Sequence, residues 1–429
     1  MFSSFYWKKL CIRAGLGRWL PSAVRVLGAG TSVLPWLSDR ALALPADELL
    51  DPAWFPDVNA PDTINLALGS PRCELPLGTI KSINDRRPLS AWGLPELRDH
   101  VASTYVAHFD PADEVLITHG ATGAFAAVID TVLNPGSKVV TFDPTSPIFR
   151  LGLKHRRARI CTIETWIEDG KTRFDIEALA GAMRGSRLLV LADPCNPTGG
   201  ILAVEDLEQI AFWARKHDVL IYLDESFKEF RYLPAEAHLS QLPNAAGRLL
   251  MAGSVSKTYG LNHARTGWLV GPRPLMRPIA AMAAMSAPFV SPFCQQIALS
   301  ALKSGNHAVG SIRDEFAGRR RYLFEALQGM GLPPVFPAGG YFFWVPVKHL
   351  GLTGREFARQ LLVAQRVLVN PGEPFGTSGE DHIRLSYATE EGRLREGIQR
   401  LAEFMEETRT QRPDPLPRLS EPEPIAVIT

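Results

Sequence analysis

Lys257 is the side chain of this sequence with the clearest capacity for nucleophilic chemistry. It follows the apolar run Leu249-Leu250-Met251 and lies among small residues in the segment Gly253-Ser254-Val255-Ser256-Lys257. A lone lysine is usually a solvated surface group, whereas a lysine among small residues after an apolar strand is a less usual arrangement. If such a lysine is partly desolvated, its ammonium form is disfavoured and a nucleophilic amine becomes available.

Three other polar segments also follow apolar runs. Asp224 ends the run 219–223, where a carboxylate is either a helix cap or a functional charge. The segment Asn196-Pro197-Thr198-Gly199-Gly200 suits a turn, in which a rigidly held Asn196 could donate a hydrogen bond to a ligand. Gly120-Ala121-Thr122 opens a helix, and its exposed N–H groups could cradle a phosphate, although many strand-to-helix turns look similar.

The elements that must position these side chains are short apolar runs that alternate with helical stretches. Strands are predicted at 115–118, 138–142, 188–192, 219–223, 249–251 and 268–270, and helices at 122–133, 205–216 and 313–327. This alternation predicts an α/β fold with a mostly parallel sheet wrapped by helices, which binds ligands at the carboxyl ends of its strands. We expect this large domain over residues 61–305 and a smaller α+β domain over residues 306–408.

The composition argues against several classes of protein. The chain has 429 residues, of which 46% are hydrophobic and 21% charged, and it carries 46 Lys+Arg against 45 Asp+Glu. The hydrophobic and charged fractions argue against wholesale disorder. The near-equal numbers of positive and negative residues give no reason to expect a nucleic-acid partner. The five cysteines form no C-x-x-C pair, and no histidine pair has metal-ligand spacing. We therefore expect a reducing, cytoplasmic location and no metal.

Three further segments raise questions about membranes and chain ends. The uncharged run between Arg277 and Lys303 contains Pro288 and Pro292, so we predict a buried helix, a loop and the start of another helix in place of a membrane span. Residues 1–38 are basic and lack Asp and Glu. We expect residues 1–60 to form an N-terminal arm, with a targeting segment or a membrane-surface helix as the alternatives. The proline-rich residues 409–429 are expected to be a disordered tail.

Together these motifs resemble the class I/II aminotransferases, which are pyridoxal-phosphate (PLP) enzymes of fold type I. The resemblance runs from about Asn65 to Glu403 and includes Leu68-Gly69-Ser70-Pro71. Several ordered motifs at suitable intervals are far more specific than any one of them. The motifs that carry the resemblance are Gly120-Ala121-Thr122, Asn196-Pro197-Thr198-Gly199, Asp224-Glu225, Ser254-x-Ser256-Lys257, Arg265-x-Gly267 and Ile383-Arg384-Leu385.

The resemblance implies a role for each of these residues. Lys257 would bond PLP as a Schiff base and then shuttle a proton, and Asp224 would pair with the protonated pyridine nitrogen, which keeps the ring an electron sink. Asn196 would bond the ring's phenolic oxygen. Arg384 would take the substrate α-carboxylate as a bidentate fork, with Gly69 and Asn196 nearby. The phosphate would be held by Gly120, Ala121, Thr122, Ser254, Ser256 and Arg265.

The resemblance also implies the reaction, namely transfer of an α-amino group from an amino acid to a 2-oxo acid by a homodimer.

Three positions depart from the family pattern. Phe227 stands where most relatives have a tyrosine, Ser146 stands where many have an aromatic ring, and Trp92 lies in a stretch that often supplies a tyrosine. A PLP-dependent decarboxylase, lyase or oxidase therefore remains an alternative, and a non-catalytic PLP-binding protein is a further one.

The sequence leaves the substrate side chain open. Arg384 argues for an α-amino acid, but no second arginine is convincing as a partner for a distal carboxylate. We expect three other arginines to be surface residues, namely Arg72, Arg150 and Arg231. We expect the aromatic residues Tyr341, Phe342 and Trp344 to belong to the core of the small domain, with a pocket wall as the alternative. Glu225 and Lys228 could also select a charged side chain.

Overall fold

The computed structural model describes residues 62–67, 90–234 and 237–410. The predicted arm, the segment with Gly69 and Arg72, and the tail beyond residue 410 lie outside these ranges. In chain order the strands are β1 (Ile64–Asn65), β2 (Val115–Thr118), β3 (Lys138–Asp143), β4 (Arg159–Glu168), β5 (Lys171–Phe174), β6 (Leu188–Ala192), β7 (Leu220–Asp224), β8 (Leu249–Ser254), β9 (Gly267–Val270), β10 (Phe342–Pro346), β11 (Val367–Leu368), β12 (Asn370–Pro371) and β13 (His382–Ser386).

The α-helices of the same ranges alternate with these strands through the first two thirds of the chain. They are α1 (Pro95–Ser103), α2 (Gly120–Val132), α3 (Pro147–His155), α4 (Ile176–Met183), α5 (Val204–Lys216), α6 (Val255–Thr258), α7 (Arg273–Ser286), α8 (Pro292–Lys303), α9 (Gly305–Gly329), α10 (Gly354–Gln365) and α11 (Glu391–Thr410).

The large sheet has eight strands in the order β2-β9-β8-β7-β6-β3-β4-β5. The pairs from β4 through β3, β6 and β7 to β8 are parallel, whereas β9 and β5 pair antiparallel with their neighbours. One face packs on a core with Leu207 and Ala298, and the other on a core with Phe125 and Ile279. The α/β fold with a mostly parallel sheet is thus confirmed.

Strand β8 is longer than the apolar run 249–251 that predicted it. It continues to Ser254 because β9 pairs with it from Met251 to Ser254. Gly253 allows this extension, since a Cβ atom at that position would overlap the indole ring of Trp268. The pairing carries the backbone directly to the turn that holds Lys257.

A second core surrounds the three-stranded antiparallel sheet β10-β13-β12. Strand β1 pairs in parallel with β11, and Ile64 and Leu66 are buried in this second core. Residues 62–67 therefore pack with the C-terminal part of the chain, although the sequence placed them at the start of the large domain. The domain boundaries themselves stay a prediction.

The uncharged run 277–303 forms most of α7 and all of α8, with Pro288 in the connection between them. Helix α7 buries Met276 and Ile279, but Met282 and Met285 on its second half are exposed. The expectation of a buried helix was therefore wrong for that half. Among the described helices none is long and apolar enough to cross a membrane.

Candidate active site

A cavity of about 220 Å³ opens at the carboxyl ends of the parallel strands. Eight of the residues predicted to bind a cofactor line it, which brings together segments that are up to 144 positions apart, from Ala121 to Arg265. The complete lining is Ala121, Thr122, Phe125, Ser146, Ile148, Phe149, Ala192, Asn196, Asp224, Ser226, Phe227, Ser254, Ser256, Lys257, Asn262 and Arg265.

The N-terminus of α2 and the side chain of Arg265 form one end of this cavity. Gly120 begins α2 with φ of 71°, in the left-handed region that favours glycine, and a Cβ atom there would lie 2.9 Å from Nη2 of Arg265. The Tyr222 hydroxyl donates to the Ala121 carbonyl at 3.3 Å, and this bond connects β7 to the first turn of α2. Backbone N–H groups beside a guanidinium group make this end suited to an anion such as a phosphate.

Lys257 lies in the single turn of α6, which follows β8 directly. Burial lowers the pKa of Lys257 to about 8, and the charges of Arg384 and Arg265 act in the same direction, whereas the Asp224 carboxylate opposes them. With a pKa of about 8, roughly a tenth of this amine is uncharged at pH 7, in the form that nucleophilic attack on a carbonyl group requires.

Asp224 ends β7, and its carboxylate faces the same cavity. Burial raises the pKa of Asp224, although hydrogen bonds from Ser226 and the charge of Lys257 oppose that shift. The backbone N–H of Ser226 donates to Oδ1 at 2.8 Å. A partly desolvated carboxylate of this kind is stabilised by a cationic ligand group placed against it.

Arg384 lies on β13 in the second sheet and joins the site through Asn196. Its Nη1 donates to Asn196 Oδ1 at 2.7 Å, and its Nη2 donates to the Ala67 carbonyl at 2.8 Å. Burial lowers the pKa of Arg384 to about 10. No carboxylate among the described residues pairs with it, and its Nε has no hydrogen-bond partner there. A buried guanidinium in this state is suited to an incoming carboxylate.

Two of the three positions that depart from the family pattern, Phe227 and Ser146, also line the cavity. Phe227 is 6% exposed and packs edge-on against Tyr341 and Phe342, with ring centres 5.2 and 5.3 Å apart. Ser146 and Phe149 both reach the cavity wall. Trp92 does not line the cavity in this single chain and packs on the core of the large sheet instead.

Glu225 and Lys228 do not face this cavity, contrary to the idea that they could select a substrate side chain. Both line a second cavity of about 560 Å³ on the other side of Ser254. The Glu225 carboxylate is bonded by His238 at 2.5 Å and by the Tyr105 hydroxyl at 2.8 Å. Asp224 ends β7 and Glu225 directly follows it, and the two neighbouring carboxylates face different cavities.

Arg150 and Arg231 were expected on the surface, and both are mostly buried. Nη1 of Arg231 lies 2.6 Å from the Asp193 carboxylate, and Nη1 of Arg150 lies 3.5 Å from that of Asp143. Neither lines the cavity. The rings of Tyr341 and Phe342 are buried in the second core, which agrees with the expected core role.

Sequence reasoning missed several residues of the cavity. Ser226 and Asn262 supply polar groups, and Ile148 supplies an apolar wall. Ser226 lies in the turn directly after β7, two residues beyond Asp224, so its place at the carboxyl end of a strand could have indicated it. No pattern in the sequence singles out Asn262 or Ile148.

The residues present fit a small anionic compound that carries a carbonyl group. The cavity is smaller than the roughly 300–1,000 Å³ that is usual for drug-sized ligands. It offers an anion site near Gly120, a nucleophilic amine on Lys257 and a carboxylate on Asp224. This fold and this site place a lysine amine, a carboxylate and an anion site together at one edge of an α/β sheet.

Comparison with known proteins gives the family. The family model described as aminotransferase class I and II matches residues 72–401. An arginine–pyruvate transaminase of Pseudomonas aeruginosa is 30% identical over 293 residues, which cover 68% of this chain and 74% of that protein. An aspartate aminotransferase of Pyrococcus abyssi is 28% identical over 81% of this chain and 92% of its own. The chain belongs to the class I and II aminotransferases.

Solved structures agree with the fold. The crystal structure of Pyrococcus protein-A1 superposes with a TM-score of 0.78 at 27% identity, and covers 88% of this chain and 98% of its own. An aromatic aminotransferase from Pyrococcus horikoshii gives a TM-score of 0.75 at 27% identity, over 81% of this chain and 97% of its own. The predicted fold type I architecture is confirmed, and the chain is an aminotransferase.

Proposed function

We propose that the chain uses PLP, bound in the cavity of Lys257, to move the α-amino group of an amino acid to a 2-oxo acid. One observation carries this proposal: Lys257, Asp224 and Asn196 line one cavity, and Asn196 joins that cavity to Arg384. The family is generally PLP-dependent, and the relatives named above are transaminases. These names favour transamination over decarboxylation, elimination or oxidation.

Two sets of residues would hold the cofactor. The N-terminus of α2, with Ala121 and Thr122, would bind the phosphate together with Arg265 and the hydroxyls of Ser254 and Ser256. Asp224 would accept a hydrogen bond from the protonated pyridine nitrogen, and this pairing would stabilise its buried charge. When bound, PLP supplies a ring that withdraws electrons from the substrate Cα.

Lys257 would both attach the cofactor and carry the proton of the reaction. Its pKa of about 8 means that the free amine and its ammonium form are both populated near neutral pH. A group with a pKa near the working pH can take a proton from the substrate Cα and return it at another atom. Asn196 would donate through its amide NH₂, because its oxygen is bonded to Arg384.

Arg384 would bind the α-carboxylate of both substrates. The amino acid and the 2-oxo acid share this group, so one guanidinium fork can serve both half-reactions. The side chain of the substrate remains open. Relatives are named for aspartate, aromatic amino acids and arginine, and no described arginine other than Arg384 and Arg265 faces the site.

We also propose that the protein is a homodimer. Support comes from four exposed apolar side chains that lie close together in the sequence on α7, α8 and their connection, which are Met282, Met285, Phe289 and Phe293. Burial of such a group against a second copy would remove it from water.

A reducing, cytoplasmic location stays a prediction; the described cysteines are unpaired.

The first test is a half-reaction. The PLP-loaded protein is mixed with single amino acids in the absence of any oxo acid, and the cofactor is identified by mass spectrometry. Accumulation of pyridoxamine phosphate together with the matching oxo acid supports transamination and names the donor. Retention of PLP with release of carbon dioxide, ammonia or peroxide would replace it by another PLP reaction. Absence of bound PLP would overturn the proposal.

A further inference from the structure

Asp143 joins the large sheet to a loop of the second domain, and none of the roles assigned above involves it. It is the last residue of β3 and only 3% exposed. Its Oδ2 accepts from the backbone N–H and the hydroxyl of Thr377 at 3.0 and 2.7 Å. Its Oδ1 accepts from the same two groups of Ser378 at 3.3 and 2.7 Å. Nη1 of Arg150 lies 3.5 Å from Oδ2.

The carboxylate is built tightly into this contact. Burial acts to raise the pKa of Asp143, but the four hydrogen bonds outweigh it and hold the pKa below its usual range. Gly376 lies directly against both oxygens, so a Cβ atom at that position would overlap them. The loop 376–378 therefore surrounds the carboxylate on one side and leaves no space for a larger residue.

Phe375 directly precedes this loop and lies next to Arg384. The centre of the Phe375 ring is 4.9 Å from the guanidinium carbon, and Phe342 lies 4.2 Å from the same carbon. The backbone N–H of Thr145, two residues after Asp143, donates to the Phe375 carbonyl at 2.8 Å. The bond from Thr145 and the bonds of Asp143 to the following loop thus hold Phe375 at the end of β3. The ring of Phe375 in turn provides a face on which the Arg384 guanidinium lies.

We propose that Asp143 is a positioning residue for Arg384, and this inference rests on the proposed function, in which Arg384 binds the α-carboxylate of the substrate. By holding Thr377 and Ser378 against β3, Asp143 fixes the ring of Phe375 and with it the direction of the guanidinium fork. Bidentate recognition of a carboxylate depends on that direction. The chain continues from Asp143 to Ser146, which lines the cavity of Lys257. The contact of Asp143 with Thr377 and Ser378 therefore connects the wall of that cavity with the proposed carboxylate site.

The experiment compares Asp143→Asn and Ser378→Ala with Asp206→Asn in the full-length, PLP-loaded protein. Asp206 is a matched control because its carboxylate also accepts from an arginine, Arg173 at 3.2 Å, but does not line the cavity. We expect KM for the amino acid and for the oxo acid to rise together by roughly tenfold in both Asp143→Asn and Ser378→Ala, with kcat changed much less. PLP affinity and the Asp206→Asn kinetics should stay as in the wild type.

Two further measurements separate positioning from general stability. In the PLP-free protein, peptide mapping after phenylglyoxal treatment should show Arg384 modified several-fold faster in Asp143→Asn. In an Arg384→Ala background, Asp143→Asn should add nothing further to KM. Unchanged KM values in Asp143→Asn beside a clear effect of Arg384→Ala would overturn the inference alone. No effect of Arg384→Ala would overturn the role proposed for Arg384 as well.

Discussion

Arg384 and Asn196 meet by a hydrogen bond of 2.7 Å from Nη1 to Oδ1, although they are 188 positions apart. Asn196 lies in the turn after β6 of the large sheet, and Arg384 lies on β13 of the second sheet. Arginine has only donors, so this bond fixes the amide oxygen of Asn196 on the side of Arg384 and leaves its NH₂ group for a cofactor. One amide therefore connects the cavity of Lys257 with the guanidinium that would take the substrate carboxylate. The two halves of the proposed site are one hydrogen-bonded unit.

Replacing Arg384 by lysine should raise KM for both substrates by about 10–100-fold, because an ammonium group cannot reproduce the two parallel hydrogen bonds of the fork. The buried position also leaves a lysine at this site poorly solvated. Steady-state kinetics with the amino acid and the oxo acid varied in turn measures both effects. Arg355→Lys, on the half-exposed Arg355, is the matched control. A rise in only one of the two KM values would contradict a shared carboxylate site.

Replacing Lys257 by alanine should lower the rate of amino-group exchange by about 10²–10⁴-fold or more, since the site then lacks both its nucleophile and its proton carrier. Treatment with borohydride followed by intact-mass measurement should leave the cofactor mass on the wild type and none on the variant. Lys348→Ala serves as the control, because the Lys348 side chain is 82% exposed. Cofactor mass mapped to another lysine would refute the assignment of Lys257.

Lys257 should also make the PLP-free protein less stable at neutral pH. Its pKa is about 8 when folded and about 10.5 in an unfolded chain. Below pH 8 both states carry the proton, and the folded state bears the cost of a buried charge. Between about pH 8 and 10.5 the unfolded state binds more protons, so the free energy of unfolding rises with pH. Lys257→Met should therefore stabilise the protein by about 2–3 kcal/mol at pH 7, with the gain fading toward pH 10.5.

Chemical unfolding of PLP-free wild type and variant at pH 7, 9 and 10.5 measures this gain. Lys348→Met, made at an exposed lysine, controls for removal of a positive charge as such. A gain that does not change with pH would show that packing of the methionine, and not the buried charge, is responsible.

The sheet and eight residues that line the cavity of Lys257 could be predicted from the sequence because their signals are local. Apolar runs such as 188–192 identify strands buried on both faces, and a parallel sheet gathers the residues that follow them. The contact between Asn196 and Arg384 and the loop around Asp143 could not be derived in this way. The first contact joins residues 188 positions apart, and the second joins residues 234 positions apart. Only the packing of the two cores decides which of these side chains meet.

The four exposed apolar side chains of α7, α8 and their connection should form part of a subunit interface. Met285 is 84% exposed, so Met285→Glu should not disturb the fold of one chain but should place a charge in a desolvated contact. Light scattering and native mass spectrometry should show a dimer for the wild type and a shift toward monomer for the variant. Val363→Glu, at a residue 71% exposed on α10, is the control. A wild-type monomer that retains full activity would contradict the homodimer.

Phe227 should leave the cofactor with one hydrogen-bond donor fewer than a tyrosine would provide. Its ring lines the cavity and packs on Tyr341 and Phe342, so Phe227→Tyr adds a hydroxyl to a site whose other proposed donor is Asn196. A donor to a phenolate oxygen stabilises its charged form by about 1.5 kcal/mol, which corresponds to roughly one pH unit. The visible absorption of the PLP-loaded variant should therefore titrate about one unit lower than that of the wild type. Phe227→Leu, which adds no donor, should titrate as the wild type, and a Phe227→Tyr midpoint that is unchanged or higher would contradict this account.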